Sequence, residues 1–303
     1  MKILIVGAGG VGGYFGAKLM EAGADITFLL REKRHKLIQE KGLTLETPDA
    51  SVTVHPTSVT ADQLTPDYDL IILAPKSYDL ADSLNSLEKA SGRGVFLPFL
   101  NGFNHLEFLD TRYGRDRVMG GVAQIAAMIT ETGAVRRMGD LAGLIAGGRS
   151  PAHEAIAQEF AGLCEKADFN FTHSPDIEQS LWDKWVMLAT LAGMTTLCLG
   201  SVGEIVATPY GAEMSRRMHA EACAIAAANG QPIAEKVQAG QLSMLTKEGS
   251  IFTASMMRDL KGGLRTEHEH ILGDLIAKGT PHSTDCPLLK IAYTHMAVAK
   301  GQG

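Results

Sequence analysis

Met1-Lys-Ile-Leu-Ile-Val6-Gly7-Ala8-Gly9-Gly10-Val11-Gly12 opens the chain, and this stretch decides the fold. An apolar β run enters a glycine turn, and the apolar segment Tyr14 to Ala22 behind it has helical character. Each glycine has its own reason to be there. Gly7 permits the tight turn, Gly9 lets the backbone approach a pyrophosphate, and Gly12 lets the helix pack closely on the strand. The N–H groups at the helix start face the phosphates, so Gly7, Ala8, Gly9, Gly10, Val11 and Gly12 form the candidate cofactor-binding turn. The next strand, Ile26 to Leu30, runs into Arg31. Folds that prefer NAD place an acid at this strand end, roughly 20 residues after the glycines, to hold the ribose 2′-hydroxyl. A guanidinium suits a 2′-phosphate better, which points to NADPH. The adjacent Glu32 keeps NADH open, and a plain solvated helix over Glu32, Lys33 and Arg34 is the rival account of Arg31.

With 303 residues the chain exceeds one hydrophobic core and is expected to form two domains. It is 45% hydrophobic and 20% charged with a net charge of −6, so neither nucleic acid nor an anionic membrane is an expected partner. Cys164, Cys198, Cys223 and Cys286 lack the spacing of a zinc site or a disulfide framework, and no metal is expected. The first strand begins at residue 2 and no apolar run reaches the roughly 20 residues of a membrane span. A cytoplasmic location is the resulting expectation. No exposed heptad or apolar edge decides between a monomer and a homodimer.

Short apolar runs alternate with helical segments up to about residue 170, the pattern of a doubly wound parallel sheet. Strands are expected at Val52 to Val54, Leu70 to Ala74, Gly94 to Leu100, Val118 to Ala127 and Phe169 to Thr172. Ala134 to Met138 and Leu141 to Ile145, separated by Gly139-Asp140, read as a hairpin. Ala152 to Lys166 reads as a helix. Beyond Ser174-Pro175, a strong helix start, only helical patterns follow: Asp176 to Leu197, Tyr210 to Asn229, Ile233 to Thr246, Ser255 to Lys261, Glu267 to Gly279 and Pro287 to Ala299. The expected architecture is an α/β Rossmann-type domain over residues 1–172 and an all-α domain over 173–303.

Ligands of such sheets sit at the carboxyl ends of the strands. Lys76 follows Ile71-Ile-Leu-Ala-Pro75, and Asn101-Gly102 follows Val95 to Leu100, so both are candidate cleft residues. In the helical half, Leu181-Trp-Asp-Lys184-Trp begins an apolar helix, and Ser255-Met-Met-Arg-Asp259 leads through Gly263 to Thr266-Glu267. These landmarks, in this order and over essentially the whole chain, resemble the ketopantoate (2-dehydropantoate 2-) reductases. The resemblance implies NADPH as hydride donor and a cleft where a small 2-oxo acid becomes a 2-hydroxy acid, as in the ketopantoate step of pantothenate biosynthesis.

Carried over residue by residue, the resemblance makes Lys184 the general acid and Glu267 its orienting partner or an acceptor of a substrate hydroxyl. Ser255 would hold the substrate carboxylate, Asn101 would sit by nicotinamide and substrate, and Lys76 by the cofactor. His268 and His270 suggest a metal pair, but residues two apart point to different faces of an α-helix, so a surface helix is expected there.

One departure bears on the substrate. Leu188, Ala192 and Val202 stand where the family carries asparagines that bind ketopantoate. A hydroxyl buried against alkyl groups loses its hydrogen-bond partners. Either other residues, such as Thr195 or Thr196 after a small shift, supply the contacts, or the substrate is a different, less polar 2-oxo acid. Two other readings stay open: a β-hydroxy acid dehydrogenase, which also uses a Lys, and a non-catalytic NADPH sensor.

Overall fold

Parallel pairing of buried apolar strands builds the first sheet. In the computed structural model, which describes residues 1–88, 90 and 92–299, the chain starts with β1 (Lys2–Val6), α1 (Gly10–Glu21), β2 (Asp25–Leu29) and α2 (Glu32–Lys41). Next come β3 (Leu43–Glu46), β4 (Ser51–Val54), β5 (Thr57–Val59), β6 (Leu70–Leu73), α3 (Leu80–Ser86), β7 (Val95–Pro98) and α4 (Asn104–Tyr113). Then follow β8 (Gly120–Ile129), β9 (Val135–Gly147), α5 (Glu154–Cys164), β10 (Asn170–His173) and the long α6 (Ile177–Cys198). The remainder is helical: α7 (Val202–Val206), α8 (Gly211–Ala228), α9 (Glu235–Leu245), α10 (Ser255–Lys261), a π-helical segment Glu269–Gly273, α11 (Asp274–Gly279) and α12 (Pro287–Ala299).

Two compact units result. One comprises Met1–Leu100 with His105–Ser180, and the other Asn101–Asn104 with Leu181–Gly303. Residue 172, the boundary expected from sequence, lies within the last strand. The division falls after Ser180, inside α6, and Asn101–Asn104 goes with the helical unit.

In the first unit the order β5-β2-β1-β6-β7, all parallel, is the Rossmann arrangement with β1 at its centre. Ile3, Leu4, Ile71 and Ile72 are fully buried, as strands covered on both faces require.

A second five-stranded sheet, mixed in direction, was not expected from the sequence. Val52 to Val54 belongs to it: β4 is largely exposed and pairs antiparallel with β3 across the Thr47–Ala50 turn. The hairpin also differs. Gly139-Asp140 is no turn, because β9 runs through it and pairs antiparallel with β8. The turn is at Thr130–Ala134, where the Thr130 N–H donates to Ala134 O and Gly133 has φ +88°. The strand register slips between Ile125 and Ala127 opposite Gly139, whose φ of +74° identifies a bulge. A glycine followed by aspartate signals a tight reversal and a bulge equally well, and only the pairing partner separates the two.

Buried electrostatics tie helices to this sheet. The Arg149 side chain, only 2% exposed, donates to both Asp110 oxygens at 2.7 and 2.8 Å and to Glu178 Oε1 at 2.9 Å.

The described part of the second unit is all helical. Trp185, Val186, Ala189 and Ala192 of α6 join Met218, Ala222 and Ile225 of α8 and Leu289 and Ala292 of α12 as its buried apolar residues. Close helix approach explains Gly193, where a Cβ would stand 2.6 Å from Met218 Sδ. Among the described residues no helix is long and apolar enough to cross a membrane.

Candidate functional site

In the first unit, the carboxyl ends of β1, β2 and β6 assemble a polar corner. Gly7 has φ +95° and donates its N–H to Leu29 O at 3.1 Å, which carries the β1–β2 ladder to the start of the turn. Gly12 is packed so tightly that a Cβ would stand 2.3 Å from Gly7 O and 2.9 Å from Ala74 Cβ. Gly9, at the N-cap of α1, is the opposite case: nothing lies within 4 Å of where its Cβ would be. The first turn of α1 carries no acidic side chain. An open approach, free helical N–H groups and no opposing charge fit the diphosphate of a dinucleotide. Gly10 is instead a packing residue, since its Cβ would meet Ala127 O at 2.7 Å.

Arg31 is the N-cap of α2, and its exposed side chain meets Asp79 Oδ1 at 3.0 Å. Lys76 caps the short helical turn Ser77–Asp79 just beyond β6. Glu32 is taken up by Lys36 at 2.9 Å along α2. Arg34, which reads from sequence as one charge in a solvated run, is partly buried and donates to Gly133 O and Ala8 O at 2.6 and 3.0 Å. It thereby holds the glycine turn by a main-chain carbonyl.

The second unit gathers a different set. Lys184 is half-buried on α6 and donates from Nζ to Asn101 Oδ1 at 3.0 Å. Burial pushes its pKa down to about 8, with the Glu267 carboxylate pulling the other way. Glu267 is buried, 6% exposed. Asn101, Lys184 and Glu267, distant in sequence, therefore share one site. Aromatic stacking holds the Asn101–Asn104 segment against α6: the Phe103 ring lies 5.4 Å from that of Trp182 and 6.3 Å from that of Trp185, to which it is nearly parallel. Trp185 Nε1 in turn donates to Ile271 O at 2.9 Å.

Ser255 is the first residue of α10. This helix start is linked to α6 by the Ala254 N–H, which donates to Thr195 Oγ1 at 3.4 Å. Thr195 and Thr196 are fully buried and donate their hydroxyls to Leu191 O and Ala192 O of their own helix at 2.7 and 2.6 Å. The suggestion that they replace the missing asparagines is corrected by this geometry. Ala192 and Val202 are buried, whereas Leu188 is half-buried.

The expected surface helix at His268 is also corrected. His268 is buried, its Nδ1 2.9 Å from Thr266 Oγ1, and the following segment is π-helical. His270 Nδ1 donates to Asp274 Oδ2 at 2.7 Å, and its ring lies against Gly102, which has φ +79°. A wider helical turn at a site follows a common pattern, and nothing in the sequence period reveals it.

Beside Asp183, a single chain of hydrogen bonds runs through the core. Gln241 Nε2 donates to Asp183 O at 2.7 Å, so Gln241 Oε1 accepts from His219 Nε2, also at 2.7 Å. Cys223 Sγ then lies 3.6 Å from His219 Nδ1.

Comparison with known proteins places this arrangement. Residues 3–149 match the family described as Ketopantoate reductase PanE/ApbA, and residues 176–300 match its C-terminal part. The chain belongs to the ketopantoate reductase family. The uncharacterized oxidoreductase YkpB of Bacillus subtilis is 31% identical over the full length of both chains. A 2-dehydropantoate 2-reductase of Halobacterium salinarum is 26% identical, again over both full lengths. Among solved structures, the 2-dehydropantoate 2-reductase of Geobacter metallireducens superposes with TM-score 0.90 at 26% identity, covering 99% of this chain and 100% of that one. A D-mandelate dehydrogenase, solved with NADH and anilino(oxo)acetate, shares the fold with TM-score 0.89 at 22% identity, covering 100% of this chain and 99% of that one. The protein is thus an oxidoreductase of the ketopantoate reductase family.

Proposed function

We propose that this family member reduces a 2-oxo acid to a 2-hydroxy acid, with 2-dehydropantoate giving pantoate as the first substrate to test. The observation that carries the proposal is the Lys184–Asn101 hydrogen bond beside the Glu267 carboxylate. A reduced nicotinamide dinucleotide supplies the hydride when bound, and the glycine turn with Arg31 and Lys76 is the set that would hold it, NADPH through Arg31.

Lys184 does the proton chemistry. With a pKa of about 8 it is mainly an ammonium at neutral pH, yet close enough to neutrality to release its proton. Its charge polarises the substrate carbonyl and stabilises the developing alkoxide before donating the proton. Asn101 Oδ1 aims the ammonium, Glu267 maintains its charge, and Ser255 binds the substrate carboxylate.

Relatives support two substrate readings. The Halobacterium protein is a 2-dehydropantoate 2-reductase. The D-mandelate dehydrogenase structure, together with Leu188, Ala192 and Val202, supports a less polar 2-oxo acid. The test is oxidation of NADPH and NADH, followed at the nicotinamide absorbance band, with ketopantoate and a panel of branched and aryl 2-oxo acids. Turnover of any of them establishes the reaction class, and tight cofactor binding without turnover across the panel refutes it. A dimeric ketopantoate reductase from Staphylococcus aureus, of the same fold, motivates measuring the mass in solution for a homodimer.

A further inference from the structure

The pairing of Arg31 with Asp79 has a consequence for cofactor choice. The two residues sit at the ends of β2 and β6, the strands on either side of β1. Arg31 caps α2, and Asp79 ends the short helical turn after β6, with its N–H donating to Lys76 O at 2.9 Å. Their charged atoms meet at 3.0 Å, with the Arg31 side chain 74% exposed and Asp79 33% exposed. The guanidinium that would take a 2′-phosphate therefore already has a carboxylate on it.

We propose that Asp79 is a specificity-determining residue that balances Arg31, so that the protein binds NADH as well as NADPH. The inference rests on the reading that the first unit binds a reduced nicotinamide dinucleotide. A 2′-phosphate carries about −1.5 to −2 charge at neutral pH. It must draw Arg31 away from Asp79 and then sit close to that carboxylate. A ribose 2′-hydroxyl, in contrast, can donate to Asp79 while the Arg31–Asp79 pair stays intact. An acid at the end of β2 does this in NAD-binding sheets, but here β2 leads into Leu30 and Arg31, and Glu32 is paired with Lys36. The acid arrives from the next strand end instead.

The neighbouring charges do not cancel this effect. Arg34 is spent on Ala8 O and Gly133 O. Lys76 lies at the β6 strand end, and with Arg31 it keeps NADPH binding favourable. An exposed ion pair is weak and readily exchanged, so Arg31 serves either cofactor and Asp79 sets the ratio.

Dissociation constants for NADPH and NADH, measured by calorimetry and nicotinamide fluorescence on the full chain without substrate, test this directly. The expected wild-type ratio is within about ten-fold. Asp79→Asn should tighten NADPH by about five-fold and weaken NADH by at least about three-fold, and Arg31→Ala should weaken NADPH far more than NADH. Raising the salt concentration should loosen NADPH more in Asp79→Asn than in wild type, since a net positive site is then screened. Arg31 is exposed and Asp79 half-buried, and Asp79→Ser provides a second variant without the carboxylate. A wild-type ratio above about 100-fold, or an unchanged ratio in both Asp79 variants, overturns the role of Asp79 while dinucleotide binding stands. Absence of binding by either cofactor overturns both.

Discussion

Lys184 Nζ donates to Asn101 Oδ1 at 3.0 Å, and this bond joins the only part of the chain before residue 105 that belongs to the helical unit to the helix that carries the ammonium. The amide oxygen stabilises the charged form of Lys184, while burial opposes it. Asn101→Ala should therefore lower the Lys184 pKa below about 8 and move the alkaline limb of the kcat profile to lower pH. Asn101→Asp should move that limb upward. A limb that stays in place in both variants would show that another group limits turnover.

Replacing the proposed proton donor is the sharper test. Lys184→Met should reduce kcat by about 10²–10⁴-fold, the usual weight of a general acid, while leaving the affinity for a reduced nicotinamide dinucleotide unchanged. Retained turnover with a 2-oxo acid would remove Lys184 from the mechanism.

The same lysine should also mark the stability curve. Its folded pKa is lowered to about 8, so between about pH 8 and its ordinary value near 10.5 the unfolded chain holds a proton that the folded chain has released. Stability attributable to this group rises with pH across that window. The melting temperature of wild type relative to Lys184→Met should thus climb from pH 8 to pH 10, measured by calorimetry. A flat difference would mean that the lysine is well solvated.

Arg149 should prove a structural residue. Its guanidinium is 2% exposed and serves both Asp110 and Glu178, so Arg149→Met leaves Asp110 facing an apolar side chain with Arg115 no nearer than 3.9 Å, while Glu178 keeps its contact to Arg115 at 2.9 Å. A loss of about 2 kcal/mol is expected, less than for a fully buried pair because the carboxylates are partly exposed and Arg115 remains beside them. Urea unfolding checks it, with Asp110→Asn expected to recover part of the loss in the double variant.

Legibility from sequence followed the range of the interactions. The glycine turn, the apolar strands and α10 were readable because local periodicity and turn chemistry determine them. The second sheet was not, because β3 and β9 pair although they lie far apart in the chain, and Val52 to Val54, readable as a strand, carries no local signal that it pairs with β3 outside the doubly wound sheet. At the site, Lys184 and Asn101 could be nominated singly, but their meeting depends on Phe103 stacking on Trp185, and no spacing rule encodes that contact. Arg34 and Asp79 were hidden for the same reason. A charged residue near a strand end looks solvated until its partner, Ala8 O for one and Arg31 for the other, is placed beside it.

Substrate choice should respond to α6. Leu188 is half-buried one helical turn beyond Lys184, so its side chain shares the face of the ammonium, whereas Ala192 is fully buried and leaves no room for an amide. An alkyl group at 188 cannot answer a substrate hydroxyl, which would cost that substrate part of its binding on desolvation. Wild type should accordingly favour branched or aryl 2-oxo acids over ketopantoate in kcat/KM. Leu188→Asn should raise kcat/KM for ketopantoate relative to an apolar 2-oxo acid by roughly 10-fold, the scale of one hydrogen bond to a buried hydroxyl. The effect should fall mainly on the ratio, since Lys184 and its chemistry are untouched. Equal changes for both substrates would place Leu188 outside the substrate pocket and return the question to Ser255 and the residues around α10.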